Sequence, residues 1–454
     1  MRFPRHFAAI SLLLFHSTAW AEMRVWTNSS GQLIEAEMLG VNVEKRAVKV
    51  RLKNGTEFEI PIENLSPPDK AYAREHWAAM QKEAPAGAPS AAGGSTAAIP
   101  DAVLKSLPSS IRTRVDPAAR QEALRQGGGT PEMEAAVVTS LDLFATTQNP
   151  DGSWGRNNKG AMTGFVLQCF LGHGETADSA KYGDAVMKGL MYLINLGGQN
   201  PHGIYSASWN TQTGGAGTYE HAIATTAVGE AYLMARLGTK ALPGLRESFE
   251  KAIHTIIEQQ TEKGSWTYGG DTIVYNPKGS YDLSLANWHF QALKVAQETG
   301  LKIDGLGPCV KKAVRYIESM QTKEGGFGST VRDAHYNQWS LSGGAAAGCF
   351  LLGGSDSKEA RRGVKFITGF LQAEPPDWNK NCNLYSWYGY SNALFLNGGI
   401  EWRNFASKVM PQILAAQDPT GSFKHGRPSW PASDAADATY RQALCTLMLE
   451  RFYR

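Results

Sequence analysis

The residues best suited to chemistry stand in short polar and aromatic clusters: Tyr219-Glu220-His221, Tyr281-Asp282 with Trp288 close behind, Asp333 and His335 before Trp339, Tyr385 before Trp387-Tyr388, and Asp437 before Tyr440. Carboxylates among aromatic rings can do general acid-base work on a carbohydrate, which makes Glu220, His221, Asp282 and Asp437 the catalytic candidates. Tyr219, Tyr281, Trp288, Trp339, Tyr385, Trp387 and Tyr388 are candidates for lining a pocket. Each has a plainer reading. Glu220, Asp282 and Asp437 fall where the first turn of a helix favours acids, and His254 and His289 read as surface or core residues. No His-Glu-x-x-His and no Cys-x-x-Cys occurs, so neither a metal nor a cofactor is expected.

The elements that must position these clusters are announced by a repeat. Six times a glutamine ending a helix-like stretch is followed by a glycine-aromatic turn or its remnant. The clear copies are Gln148-Asn-Pro-Asp-Gly152-Ser-Trp154, Gln260-Thr-Glu-Lys-Gly264-Ser-Trp266, Gln321-Thr-Lys-Glu-Gly325-Gly-Phe327 and Gln417-Asp-Pro-Thr-Gly421-Ser-Phe423. Gln199 keeps the turn without the tryptophan, and Gln372, with Trp378 beyond it, has lost the glycine. The glutamines lie 51, 61, 61, 51 and 45 residues apart, which is room for two helices per unit. Glycine supplies positive φ at the helix end, the ring covers that end, and the amide can bond to neighbouring backbone, so the motif reads as a staple between units.

A second helix follows each staple, starting near Met162, Glu220, Asp282, Gln338, Ser386 and Thr439, apolar on nearly every face and rich in small residues such as Ser342-Gly-Gly-Ala-Ala-Ala-Gly348. A helix apolar all round is buried all round. The stapled helices, such as Glu132 to Thr147 and Leu245 to Gln260, are amphipathic. Six outer and six inner helices in alternation predict a closed (α/α)₆ toroid, a mostly α fold; an open superhelix is the alternative. Parallel inner helices would gather their N-terminal ends, and with them the clusters above, at one mouth.

Composition and charge narrow the function. Arg2 and Arg5, the apolar run Phe7 to Phe15 and Ala19-Trp20-Ala21 predict a signal peptide over 1–21 and hence an exported, periplasmic or extracellular protein with no transmembrane segment after cleavage. Losing the two arginines takes the net charge from +3 to +1, which argues against a nucleic-acid partner. The five cysteines are odd in number and scattered; Cys169, Cys349 and Cys445 read as core residues, and Cys309 with Cys382 is the one disulfide expected. Alternating stretches Leu33 to Met38, Ala47 to Leu52 and Glu57 to Ile62, with glycine turns at Gly40 and Asn54-Gly55, predict a small β-barrel over 22–80, closed by a short helix from Asp69. Residues 81–131 read as an Ala/Pro/Gly/Ser-rich linker holding one helix, Asp116 to Arg125, and a hinge at Gly127 to Gly129; the toroid occupies 132–454.

With those residues in view, the repeat region resembles the squalene-cyclase and prenyltransferase repeat superfamily. The resemblance is carried by the glutamine-glycine-aromatic turns and by the stretches from Tyr219 to Met234 and Tyr281 to Lys294, which look like an exported bacterial branch. It implies the toroid and an apolar, lipid-like chain along Trp339, Trp387 and Tyr388, whereas the carboxylates among aromatic rings suit a glycan ligand instead. The Asp-x-Asp-Asp acid of the class II terpene cyclases is missing, Asp434-Ala-Ala-Asp437 being the nearest run, and Asp304 with Cys309 does not match the prenyltransferase zinc site. Residues 23–75 resemble the Sla homology domain through Trp26-Thr27, Ala36-Glu37, Asn54-Gly55, Leu65-Ser66 and Asp69-Lys-Ala71-Tyr72, which implies a protein or peptide partner. The resulting expectation is an exported binding or scaffold protein, with an enzyme of the terpene cyclase, prenyltransferase, lyase or glycosidase kind as the alternative.

Overall fold

A computed structural model describes residues 23–27, 33–42, 47–52, 56–66, 68–74, 101–209, 216–268, 281–335, 338–427 and 438–454. Asn54-Gly55, Asp434 and Asp437 lie outside the described residues. The chain divides into two units, Met1–Met80 and Gln81–Arg454.

In the first unit, four strands, β1 (Met23–Thr27), β2 (Leu33–Asn42), β3 (Ala47–Leu52) and β4 (Glu57–Pro61), pair antiparallel in the order β1-β2-β3-β4. The described strands form an antiparallel meander, the sheet of the expected unit, with β1 and β4 as its outer members. Alternation places Ala36 and Met38 on the same buried face as Val48 and Val50, and Trp26 donates its indole N–H to the Ala36 carbonyl at 2.9 Å. Gly40 is not a turn: it sits inside β2, where the register against β3 shifts between Met38 and Gly40, a bulge that lets one long strand bend.

The second unit contains the repeats. Its outer helices are α4 (Pro131–Thr146), α6 (Gly183–Gly198), α8 (Leu245–Glu258), α10 (Leu306–Ser319), α12 (Lys358–Ala373) and α14 (Gly399–Ala416). The inner ones are α5 (Lys159–Gly172), α7 (Ala216–Met234), α9 (Leu283–Thr299), α11 (Gln338–Gly353), α13 (Leu384–Asn397) and α15 (Ala438–Leu449). Inner-helix contacts run in a cycle, α5 to α7, α9, α11, α13, α15 and back to α5, and the first and last outer helices, α4 and α14, also touch. The array is a closed double wall, not an open superhelix.

The two layers differ as their patterns require. Every residue of α5 from Gly160 to Gly172 is buried, whereas α10 buries Leu306, Cys309, Val310, Ala313, Tyr316 and Ile317 at one-face spacing. Inner helices pack by small residues: a Cβ on Gly343 would come within 2.6 Å of the Gly389 backbone on the neighbouring helix.

The staples close this wall. In the four clear copies the glutamine Nε2 donates to the carbonyl of its own turn glycine and to a carbonyl of the next outer helix: Gln148 to Gly152 and Ala185, Gln260 to Gly264 and Cys309, Gln321 to Gly325 and Glu359, Gln417 to Gly421 and Ala136. The last bond joins the end of the last outer helix to the first outer helix. The turn glycines have φ of 87°, 94°, 98° and 89°, and a Cβ at Gly421 would lie 2.4 Å from the Thr139 carbonyl oxygen. Trp154 and Trp266 tie the helix end by donating to the Phe144 and Ile256 carbonyls, each at 2.7 Å.

The two weak copies are carried by other residues. Gln199 is exposed, and buried Asn200 makes the turn, donating to the Ile204 carbonyl at 2.8 Å and accepting from the Ile204 N–H at 2.9 Å. Gln372 is also exposed; Gln412 of α14 accepts from the Trp378 N–H at 2.7 Å and donates to the Pro376 carbonyl.

The segment before the ring is more structured than a linker. Helices α1 (Asp101–Ser106), α2 (Ser109–Val115) and α3 (Pro117–Gln126) precede α4, and Asp116 caps α3 by accepting from Ala118 and Ala119 N–H. They hold to the ring through Arg114 with Glu230 (3.1 Å) and Arg120 with Glu134 (3.0 Å). Gly127 is no hinge: its carbonyl accepts from Trp402 and a Cβ there would press on Phe452 at 2.8 Å. Cys309 and Cys382 form no disulfide; all five cysteines are buried thiols. Among the described residues no helix is long and apolar enough to cross a membrane.

Candidate functional site

The first turns of all six inner helices converge on one cavity of about 420 Å³. Phe165 of α5, Tyr219 and Glu220 of α7, Trp288 of α9, Leu341 of α11, Tyr385 of α13 and Tyr440 of α15 all reach it. The aromatic rings brace one another across the ring: Trp288 meets Phe165 edge-on at 5.2 Å and Tyr385 at 6.1 Å, and Phe165 meets Tyr440 at 5.9 Å. Trp288 also stacks on Tyr388 at 5.7 Å, behind the cavity floor.

One side of this apolar space is polar. Asp282 caps α9: its Oδ1 accepts from the Leu285 N–H at 3.1 Å and from the Ser284 hydroxyl at 2.6 Å. Its Oδ2 accepts from the Tyr268 hydroxyl at 2.7 Å, and Tyr219, Tyr268 and Ser284 share hydrogen bonds of 2.6 to 3.0 Å. Burial raises the Tyr219 phenol to about 12, so these hydroxyls stay protonated.

Glu220 bridges two inner helices. Its Oε2 accepts from the Gly160 N–H at 2.9 Å, at the start of α5, and its Oε1 from the Ser206 hydroxyl at 2.8 Å. An acid at the N-terminal end of a neighbouring helix answers that helix's dipole. Burial nonetheless pushes the carboxyl above its ordinary range, and the Ser206 and Gly160 bonds oppose that shift only in part. His221 turns away into the wall: Nδ1 accepts from the Tyr205 N–H and Nε2 donates to the Ala252 carbonyl at 3.1 Å, and burial lowers its pKa to about 4. His289 stacks on Trp266 at 4.3 Å in the core, and burial lowers it to about 3.

The remaining candidates are dispersed. Tyr281 accepts from the Lys263 ammonium outside the cavity lining. Trp339 and Trp387 line a separate cleft of about 470 Å³ between α11, α12 and α13, where Trp339 stacks on Phe370 at 5.6 Å. Tyr388 lines a third cavity, at the far end of the inner helices. Asp333 and His335 are exposed, and Asp437 is outside the described residues. Phe165, Tyr268, Ser284 and Leu341 belong to the central cavity and were not singled out from the sequence. Tyr268 could have been, since it alternates with Trp266 in the extended segment after the staple. Phe165 and Leu341 are indistinguishable from core residues in an all-apolar helix. Among the described residues no group of His, Cys, Asp and Glu is arranged to hold a metal ion.

The cavity can therefore enclose an apolar body and offer hydroxyls and two carboxylates, Glu220 and Asp282, to a polar end. No family model matches the chain, and no curated protein matches it by sequence. Among solved structures it is similar to the type II terpene cyclase MstE from Scytonema in its apo form, at 12% identity and a TM-score of 0.45, over 71% of this chain and 98% of that one. A variant of that cyclase in complex with geranylgeranyl dihydroxybenzoate gives 13% identity and the same TM-score, over 71% of this chain and 97% of that one.

Proposed function

We propose that this chain is an exported binding and scaffold protein, in which the ring of squalene-cyclase and prenyltransferase type holds an apolar, isoprenoid- or lipid-like molecule and the N-terminal Sla-homology unit takes a protein or peptide. The observation that carries the reading is the central cavity, apolar and aromatic on all sides but one, within the size of ordinary ligand sites. Its carboxylates are engaged in holding the wall: Asp282 caps a helix, and Glu220 accepts on both oxygens from donors that suit the ionised form. The test is native mass spectrometry of the purified chain after incubation with mixed lipids and polyprenols. A bound lipid or polyprenol that disappears in Ala161→Trp, which fills the cavity, is the expected result. Retention by the filled variant, or capture of a glycan instead, overturns it.

One observation favours an enzyme instead: Glu220 is a carboxyl raised by burial in an aromatic cavity, the setting of a proton donor. That reading requires turnover of a polyprenyl or polysaccharide panel that is lost in Glu220→Gln. Binding without turnover, unchanged in Glu220→Gln, leaves the binding role.

A further inference from the structure

At the opposite end of the ring, where the inner helices finish, lies a cavity of about 200 Å³ that shares no lining residue with the central one. Arg114 of α2, Arg451 and Arg454 reach it, and Glu230 of α7 is the carboxylate among them. Lys294 and Glu298 at its edge pair with each other at 3.4 Å and cancel. Glu230 serves two guanidinium groups at once, Arg114 at 3.1 Å and Arg454 at 2.9 Å. Glu450, fully buried behind them, keeps its proton up to about pH 8 because burial opposes its charge. Among the described residues no carboxylate lies within ion-pair distance of Arg451, whose guanidinium sits 5.8 Å from the Tyr388 ring. The lining thus carries more positive than negative charge.

Arginines at helix C-termini commonly serve to meet the last carbonyls, and Arg454 does so, donating to the Gln168 carbonyl near the end of α5. The other two do not. Arg114, 5% exposed, gives Nη1 to Glu230 but keeps Nε buried with no hydrogen-bond acceptor, and Arg451 Nε is likewise buried without one. Buried donors on cations without acceptors are costly, and a bound oxyanion supplies both the acceptors and the charge.

We infer that this cavity binds a small oxyanion, of the phosphate or carboxylate kind, through Arg114 and Arg451. The probe is inorganic phosphate, with acetate alongside and sodium chloride at matched ionic strength, read by thermal unfolding of the full chain. Phosphate should raise the melting temperature saturably, by roughly 3 °C or more when in large excess over its dissociation constant. Arg451→Gln should abolish that response. Ser110→Glu, which sets a carboxylate at the cavity wall from α2, should raise the starting melting temperature and blunt the phosphate response. An acetate response equal to that of phosphate identifies the carboxylate form of the same site; a weaker one identifies the phosphoryl form. A chloride response of equal size, or a phosphate response unchanged in both variants, overturns the inference.

Discussion

At the scale of single residues, the turn glycines and the buried histidines make the sharpest demands. Gly421 and Gly128 have similar φ, 89° and 85°, but a Cβ at Gly421 meets the Thr139 carbonyl and one at Gly128 meets nothing. Gly128→Ala should then cost only backbone strain, ~1 kcal/mol, while Gly421→Ala adds a clash with backbone and costs ~3 kcal/mol, measured by urea unfolding. The histidines pull in opposite directions with pH. His221 and His289 have folded pKa values lowered to about 4 and about 3 by burial, so their contribution is complete above the unfolded value of ~6.5 and is lost as pH falls. His173 lies between Glu175 (3.0 Å) and Glu134 (3.2 Å); burial would lower it, but those bonds prevail and raise it to about 9. Its contribution is complete below ~6.5 and is lost as pH rises through about 9. Urea midpoints should accordingly peak near neutrality, and His173→Gln should flatten the alkaline limb and, because His173 also holds the Glu134 carboxyl down to about 2, weaken the strongly acid end of the other limb.

At the scale of elements, the staple explains how helices of modest length become a wall. In the four clear copies the glutamine amide ties the end of one outer helix to the start of the next, so cooperativity passes around the ring through short local bonds. Gln417 is the copy that joins the last outer helix to the first. Gln417→Ala should cost ~1–3 kcal/mol, because buried carbonyls of Ala136 and Gly421 lose a donor. Gln199→Ala should fall within ~0.5 kcal/mol of the parent despite its place in the repeat, since Asn200 does the bonding. Chemical denaturation of both variants checks the contrast; equal losses would show that the repeat position matters more than the bond. The glutamine spacing made the helix pairs legible. What it left unread were the substitutes Asn200 and Gln412, because an amide one residue along, or on the following helix, carries no repeat signature.

At the scale of the molecule, the chain is two units, and the ring extends further toward the N-terminus than its repeats. Helices α2 and α3 anchor to it by Arg114 with Glu230 and Arg120 with Glu134, pairs with both guanidinium groups buried. A chain beginning at 101 should unfold at the same temperature as the full chain's ring, whereas one beginning at 131 should unfold several degrees lower, because removing one partner leaves a buried charge uncompensated. Differential scanning calorimetry of the two truncations decides it; equal transitions would mean that these helices only decorate the ring.

The amino-acid order alone determined the double layer, since a helix that is apolar on every side must be inner and an amphipathic one outer, and the glycine-aromatic turns mark each boundary. It also placed Tyr219, Glu220, Asp282, Trp288 and Tyr385 near inner-helix starts. Only the tertiary structure decided which of the candidates meet. Closure of the ring brings those five together with Phe165, Tyr268 and Leu341, sends Trp339 and Trp387 to a different cleft, turns His221 into the wall, and gathers Arg114, Arg451 and Arg454 from distant parts of the chain. Helical periodicity tells how much of a residue's surroundings are apolar, but which neighbour it faces depends on the rotation of each helix about its own axis, and that is set by packing against both flanking helices at once.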